Sequence, residues 1–318
     1  MSTTLRRLGL ALLAAVALGW LILHTGGAAR DTQIVVPPGA TLTAAARSLE
    51  EADAISSSRA FLLRARLFGP HGAIKPGEYR IVKGMSAREL LALLQSGRVI
   101  QRFVTIPEGL PSVMVHERLM RTPLLTGTIP VPAEGSILPD NYAYTRGESR
   151  AAVVARMQAA MRRALAEEWA RRSPSAVVAT PEQTVNLAAI VEKETGRPDE
   201  RRLVAAVYSN RLRIGMPLQA DPTLIYPVTR GRPLGRRILR SEIAADTPYN
   251  TYTRTGLPAG PITNPGRAAI AAVLDPAPIR ALYFVAQGDG RSAFAETLDE
   301  HNANVARWYA HRRARGEM

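Results

Sequence analysis

The longest unbroken apolar run in the chain lies at its start. Residues 8–23 carry no charged or strongly polar side chain. Extended over the small residues to position 29, the run is about 22 residues, long enough to span a bilayer as a helix. Arg6 and Arg7 precede it and the nearest acid is Asp31, so the positive-inside rule leaves residues 1–7 in the cytoplasm and exports the rest. A cleaved signal peptide is the competing reading, with Gly27-Ala28-Ala29 as its cleavage site.

Beyond this segment the pattern alternates between periods of two and of 3.6 residues. Residues 33–36 read as a strand, followed by a helix with Leu42, Ala46 and Leu49 on one face. A second strand–helix unit carries Tyr79 and Ile81, a Ser86/Glu89 capping box, and a Leu90, Leu91, Leu93, Leu94 core ending at Gly97. With a helical connector at 57–68, residues 33–100 form a small α+β module. Further on, the pattern predicts a strand at 102–106 and a short helix at 112–120. A long helix follows at 149–172, with Val153, Met157 and Met161 as its buried stripe. Helices at 182–195 and 199–214 precede about 50 residues, 215–265, with no helical period. Structureless stretches of that length inside a domain tend to be functional. A helix at 266–274, a strand at 282–286 and a helix at 297–313 complete an α+β second domain over 101–318.

Charge and composition narrow the chemistry. The chain has 318 residues and a net charge of +14, and it contains no cysteine. Disulfides, thiolate metal sites and a cysteine nucleophile are thereby excluded. The five histidines form no spaced cluster with carboxylates, so neither a metal nor a cofactor is expected. Excess positive charge often signals nucleic acid, but an exported domain meets anionic wall polymers and headgroups instead. A plain solvated basic surface is the reading preferred over a specific polyanion site. No nucleic-acid partner is expected.

One carboxylate breaks the helical pattern. With Leu187 at zero and 100° per residue, Ile190 falls at about −60°, Val191 at about +40° and Glu194 at about −20°. Glu194 is central in the apolar stripe, whereas Glu192 (about 140°) and Lys193 (about 240°) point away toward water. Burial raises a carboxyl pKa, and the negative end of the helix dipole acts in the same direction. Glu194 is therefore a candidate general acid. The bland alternatives are an ion pair with Arg or Lys, or fraying ahead of Gly196. The unperiodic segment then supplies aromatic faces and amide or hydroxyl groups suited to a sugar polymer: Gln219, Asp221, Thr223, Tyr226, Tyr249, Asn250, Tyr252 and Asn264. Each is also at home in an ordinary turn.

Longer motifs sharpen the reading. IVEKET (190–195), SNRLRIGMPLQADPTLIYP (209–227), TPYNTYTRTGLPAGPITNPG (247–266) and LYFVAQGDG (282–290) stand in order behind KPGEYRI (75–81), IPEG (106–109) and LPDNY (138–142). In these the chain resembles the endolytic murein transglycosylases of the MltG (YceG-like) family. The resemblance implies a single transmembrane helix at 8–29, a LysM-like module at 33–100 and a YceG-like catalytic domain at 101–318. It further implies an inner-membrane protein facing the periplasm that cuts nascent peptidoglycan strands internally and so limits their elongation. Cell-wall synthases of the penicillin-binding protein class are the implied partners. The family's catalytic glutamate is the one followed by Thr, here Glu194, and the eight loop residues named above would position sugar and acetamido groups. Two features depart from or add to the family pattern: Ser292 stands where the family often has His, and residues 230–240 hold five Arg in eleven positions. A lysozyme-like hydrolase using Asp221 or Asp246 as second carboxylate, and a non-catalytic peptidoglycan-binding scaffold, remain the rival readings.

Overall fold

Strand β1 (Thr32–Val36) leads through helices α1 (Leu42–Glu51) and α2 (Ser58–Phe68) to β2 (Gly77–Ile81). The two strands pair antiparallel, with Ile34 opposite Tyr79. In this computed structural model the described residues are 27–69 and 72–316, with Gly9, Leu13 and Val16 before them. The apolar segment proposed as an anchor lies almost wholly outside them. Among the described residues no helix is long and apolar enough to cross a membrane.

Helix α3 (Ala87–Ser96) begins on the expected Ser86/Glu89 capping box and ends at Gly97 in the left-handed conformation, φ 73°, which costs glycine nothing. Leu49, Phe61, Tyr79, Leu90 and Leu94 are buried together, and the Tyr79 hydroxyl donates to the Lys75 and Leu94 carbonyls. The chain divides into two compact units. The first comprises Met1–Arg102 with Ala143–Gly147, the second Phe103–Tyr142 with Glu148–Met318. The short return at 143–147 left no trace in the hydrophobic pattern.

Next along the chain come β3 (Arg102–Thr105), α4 (Ser112–Arg121), β4 (Asn141–Tyr144) and α5 (Arg150–Ala170). Strands β3 and β4 form a two-stranded sheet. Next come α6 (Pro181–Glu194), α7 (Arg201–Arg213), α8 (Asp221–Thr229), α9 (Arg240–Ala244) and α10 (Arg267–Leu274). The antiparallel pair β5 (Tyr283–Ala286) and β6 (Ser292–Ala295) precedes α11 (Leu298–Ala314). Helix α10 is apolar nearly all round, as a central helix should be, and packs against α5, α6 and α7. Leu187, Ile190, Val191, Val204, Ile270 and Val273 are fully enclosed there.

Residues 215–265 are less irregular than their pattern suggests, because they contain α8 and α9. Helix α8 has only nine residues, starts at Asp221-Pro222 and carries Pro227 inside. A proline lacks the N–H that an interior turn uses, and so short and Pro-interrupted a helix leaves no measurable period. Strands β4 and β6 (Asn-Tyr-Ala-Tyr and Ser-Ala-Phe-Ala) carry no β-branched residue, the mark by which equally short β3 and β5 are legible.

Candidate functional site

Helix α6 is placed by its two ends. Thr180 caps its start by accepting from the Gln183 N–H, with Pro181 in the first turn, where the missing donor costs nothing. At the other end Thr195 leaves the helix in an extended conformation and its hydroxyl accepts from the Arg197 N–H. The last helical residue is Glu194. It keeps partial contact with solvent, yet its carboxyl is enclosed by protein on most sides, and this enclosure sets its acidity. Burial pushes the Glu194 pKa up to about 7 against a downward pull from the Tyr208 hydrogen bond, with the Asp221 charge adding to the rise and Arg211 opposing it.

Tyr208 and Arg211 come from α7 at a spacing of three, which puts both on one helix face. Tyr208 is buried, and its own pKa lies well above the ordinary phenol value, chiefly through burial and then the Glu194 charge. Its hydroxyl therefore stays protonated and donates to Glu194. The Arg211 guanidinium donates to the carbonyls of Leu282 (2.6 Å) and Leu218 (2.8 Å) and lies over the Tyr283 ring at 5.3 Å. It thus ties α7 to β5 and to the loop before α8 while presenting positive charge to the acid. Neither residue was singled out from sequence. The signal was available: counted from Val204 on the same wheel, Tyr208 falls at about +40° and Arg211 at about −20°, a cation in an apolar stripe.

The loop residues divide into two groups. Gln219 is exposed, with φ +53°, and its side-chain oxygen is 3.5 Å from Arg211. Asp221 is exposed and accepts from the Tyr252 hydroxyl. Tyr226 and Tyr249 are half-buried with ring centroids 4.8 Å apart, and the Tyr226 hydroxyl bonds to Glu134. These five side chains reach the surface. Thr223, Asn250 and Asn264 do not, and their polar atoms already have protein partners. Thr223 bonds to Ala220 and Thr251. Asn250 donates to Ile243 and Ala245 and accepts from the Tyr252 and Thr253 N–H groups. Asn264 accepts from the Ile137 N–H and donates toward Leu110, Ser112 and Glu134. The backbone bonds Gln219 N–H to Thr251 carbonyl (2.9 Å) and Ala220 N–H to Thr251 hydroxyl (3.0 Å) lay the two loop segments side by side. That alignment brings Tyr252 onto Asp221.

One expectation is overturned. Glu192 does not face water, because its side chain is only 5% exposed. It accepts the Gly266 N–H at 2.8 Å and lies 3.7 Å from Arg201, which also approaches Glu108 at 3.4 Å. Burial raises its pKa above the ordinary carboxylate value against the Gly266 hydrogen bond, and Glu108 adds to the rise. The wheel assumes one buried face, whereas the start of α10 and the Arg201 side chain cover a second.

The arrangement is that of a half-buried acid with a near-neutral pKa, flanked by a phenol donor, a guanidinium and a second carboxylate, beside exposed aromatic and amide groups. A model of the YceG-like family matches residues 34–307, and the chain belongs to that family. Similar proteins include the endolytic murein transglycosylase of Bacillus subtilis, 27% identical over 301 residues that cover 85% of this chain and 82% of the relative. The endolytic murein transglycosylase of Streptococcus pneumoniae is 26% identical over 320 residues, which cover 85% of this chain and 57% of that longer protein. A crystal structure of a yceG-like protein from Listeria monocytogenes shares the fold, with a TM-score of 0.53 and 24% identity over 86% of this chain and 99% of that one.

Proposed function

We propose that the chain is an endolytic peptidoglycan lytic transglycosylase, with Glu194 as its acid and base. The observation that supports this best is the Glu194 carboxyl, raised to about 7 by burial in a residue that is itself only half-buried. Near neutral pH such a group is populated in both protonation states, as a residue that must give and then take a proton requires. Protonated Glu194 donates to the glycosidic oxygen between MurNAc and GlcNAc as the C1–O bond breaks through an oxocarbenium-like state. The carboxylate so formed accepts the proton of the muramyl C6 hydroxyl as O6 bonds to C1. The product is a 1,6-anhydro end, the acid regains its proton, and no water is consumed. Tyr208 and Arg211 stabilise the carboxylate between the two transfers.

Gln219, Asp221, Tyr226, Tyr249 and Tyr252 are the side chains we assign to sugar and acetamido contacts. Thr223, Asn250 and Asn264 hold the loops that carry them. The module at 33–100 is read as a LysM-like glycan-binding element, supported by its strand–helix–helix–strand order with antiparallel pairing. The N-terminal apolar segment is read as a single-pass inner-membrane anchor that leaves the catalytic unit in the periplasm beside cell-wall synthases. Asp221 keeps a hydrolytic reading in view, since its charge reaches Glu194 and a retaining hydrolase needs a second carboxylate. The direct test is Glu194→Gln in the purified full chain acting on uncross-linked glycan strands. Cleavage should fall about a thousandfold, and strand length in a complemented deletion strain should stay as long as in the deletion. A variant that cleaves normally would remove Glu194 from the chemistry.

A further inference from the structure

A cavity of about 380 Å³ lies outside the residues used by the chemistry above. Its walls include Lys193, the residue before Glu194, and Pro222, the residue after Asp221. Chain neighbours of both carboxylates therefore wall the cavity. Leu110, Pro111, Met114, Ile225 and Ile262 make the rest of it largely apolar, and none of the described residues that line it is aromatic. Gly231 closes one side in the left-handed region at φ +84°, where a Cβ would sit 2.8 Å from Pro111, so the wall there is drawn in as far as the backbone allows.

The lining selects the ligand. Sugar rings bind to aromatic faces and fans of hydrogen-bonding groups, and this cavity has neither. Two cations border it. Arg232 is paired with Glu117, whereas Lys193 is exposed and makes no ion pair among the described residues. An apolar hollow of this size with one available ammonium suits a short, compact chain of methyl-bearing units with a carboxylate. A muramyl residue carries such a chain. Its stem peptide, rich in alanyl methyl groups and free carboxylates, is attached through a lactyl ether to the very ring whose anomeric bond is cut. A stem-peptide subsite requires that a ring seated at Glu194 direct its peptide root toward the Lys193–Pro222 wall.

We propose that this cavity is a stem-peptide subsite, so that the enzyme prefers peptide-bearing over peptide-free glycan; the inference rests on the transglycosylase reading above. The test compares uncross-linked strands that carry tetrapeptide stems with the same strands stripped by an amidase, using the full chain in detergent. The preference in kcat/KM should be about tenfold or more, the scale at which an apolar pocket discriminates. Met114→Trp, which fills the hollow, and Lys193→Ala should each bring the ratio toward one, with melting temperatures checked to exclude misfolding. A second arm does not depend on cleavage: calorimetry of a muramyl tetrapeptide with the Glu194→Gln chain should detect binding that Met114→Trp abolishes. Equal cleavage of both strands, or muramyl-peptide binding indifferent to both substitutions, would overturn the subsite. If neither strand is cut, the transglycosylase reading fails, and the binding arm still decides the subsite by itself.

Discussion

The ionisation of Glu194 rests on opposed forces that single substitutions can separate. Burial lifts its pKa, while the Tyr208 hydrogen bond and Arg211 pull it down. Tyr208→Phe removes a donor to the charged form, so the limb of activity that depends on protonated Glu194 should extend to higher pH, and proton donation by the weaker acid should slow. A pH profile of kcat tests this, and an unshifted limb would contradict it. The same pKa has a consequence for stability. The folded value of about 7 exceeds the ordinary 4.5, so the folded state holds this proton more tightly than the unfolded one. Glu194 therefore costs nothing at pH 4 and progressively destabilises the fold as pH rises from about 4.5 to about 7, by at most about 3 kcal/mol. Glu194→Gln should melt above the parent at pH 8 and with it at pH 4.

Among elements, the end of α6 is held in place by groups that themselves do no chemistry. Asn264 is fully buried and joins the segments at 110–112, 134 and 137 to the start of α10. Asn264→Ala would leave several buried partners unsatisfied and should cost about 2–5 kcal/mol, read as a lowered urea midpoint together with reduced cleavage. Arg201→Met would leave Glu192 without its cation. Breaking a buried pair costs about 3–5 kcal/mol, so this variant should also be destabilised, and less so at low pH, where Glu192 takes up a proton.

The same elements explain what could be read in advance. Helices α3, α5, α6 and α7 carry enough turns for their stripes to be visible, and Ser86, Glu89 and Gly97 mark ends by local chemistry alone. The position of Glu194 on its helix was legible for that reason. Helix α8 was not, since Pro227 interrupts it, and neither was Glu192, whose cover is supplied by residues some 75 positions later in the chain. A wheel reports one helix and knows nothing of its neighbours. Similarly, the amide residues Asn250 and Asn264 have a polarity that composition suggests for sugar, but loop carbonyls and N–H groups nearby absorb that of Asn250, and partners more than a hundred positions away that of Asn264.

For the molecule as a whole, the net charge of +14 acts at a distance that salt controls. Most of its ion pairs lie at the surface and contribute little to stability, and we propose that the excess attracts anionic wall polymers. Binding to such polymers should weaken steeply between 50 mM and 300 mM salt, with screening lengths near 10 Å at about 0.1 M, whereas binding of a neutral chitin oligomer should not. Cosedimentation with each polymer distinguishes the two, and equal salt dependence would contradict the assignment.

The central step is a cleavage in which the muramyl end closes on itself. Mass spectrometry of glycan fragments released by the purified chain measures this directly. The account predicts fragments ending in 1,6-anhydro-MurNAc, one water lighter than hydrolysis products and absent when Glu194→Gln is used. Fragments ending in reducing muramic acid would contradict it.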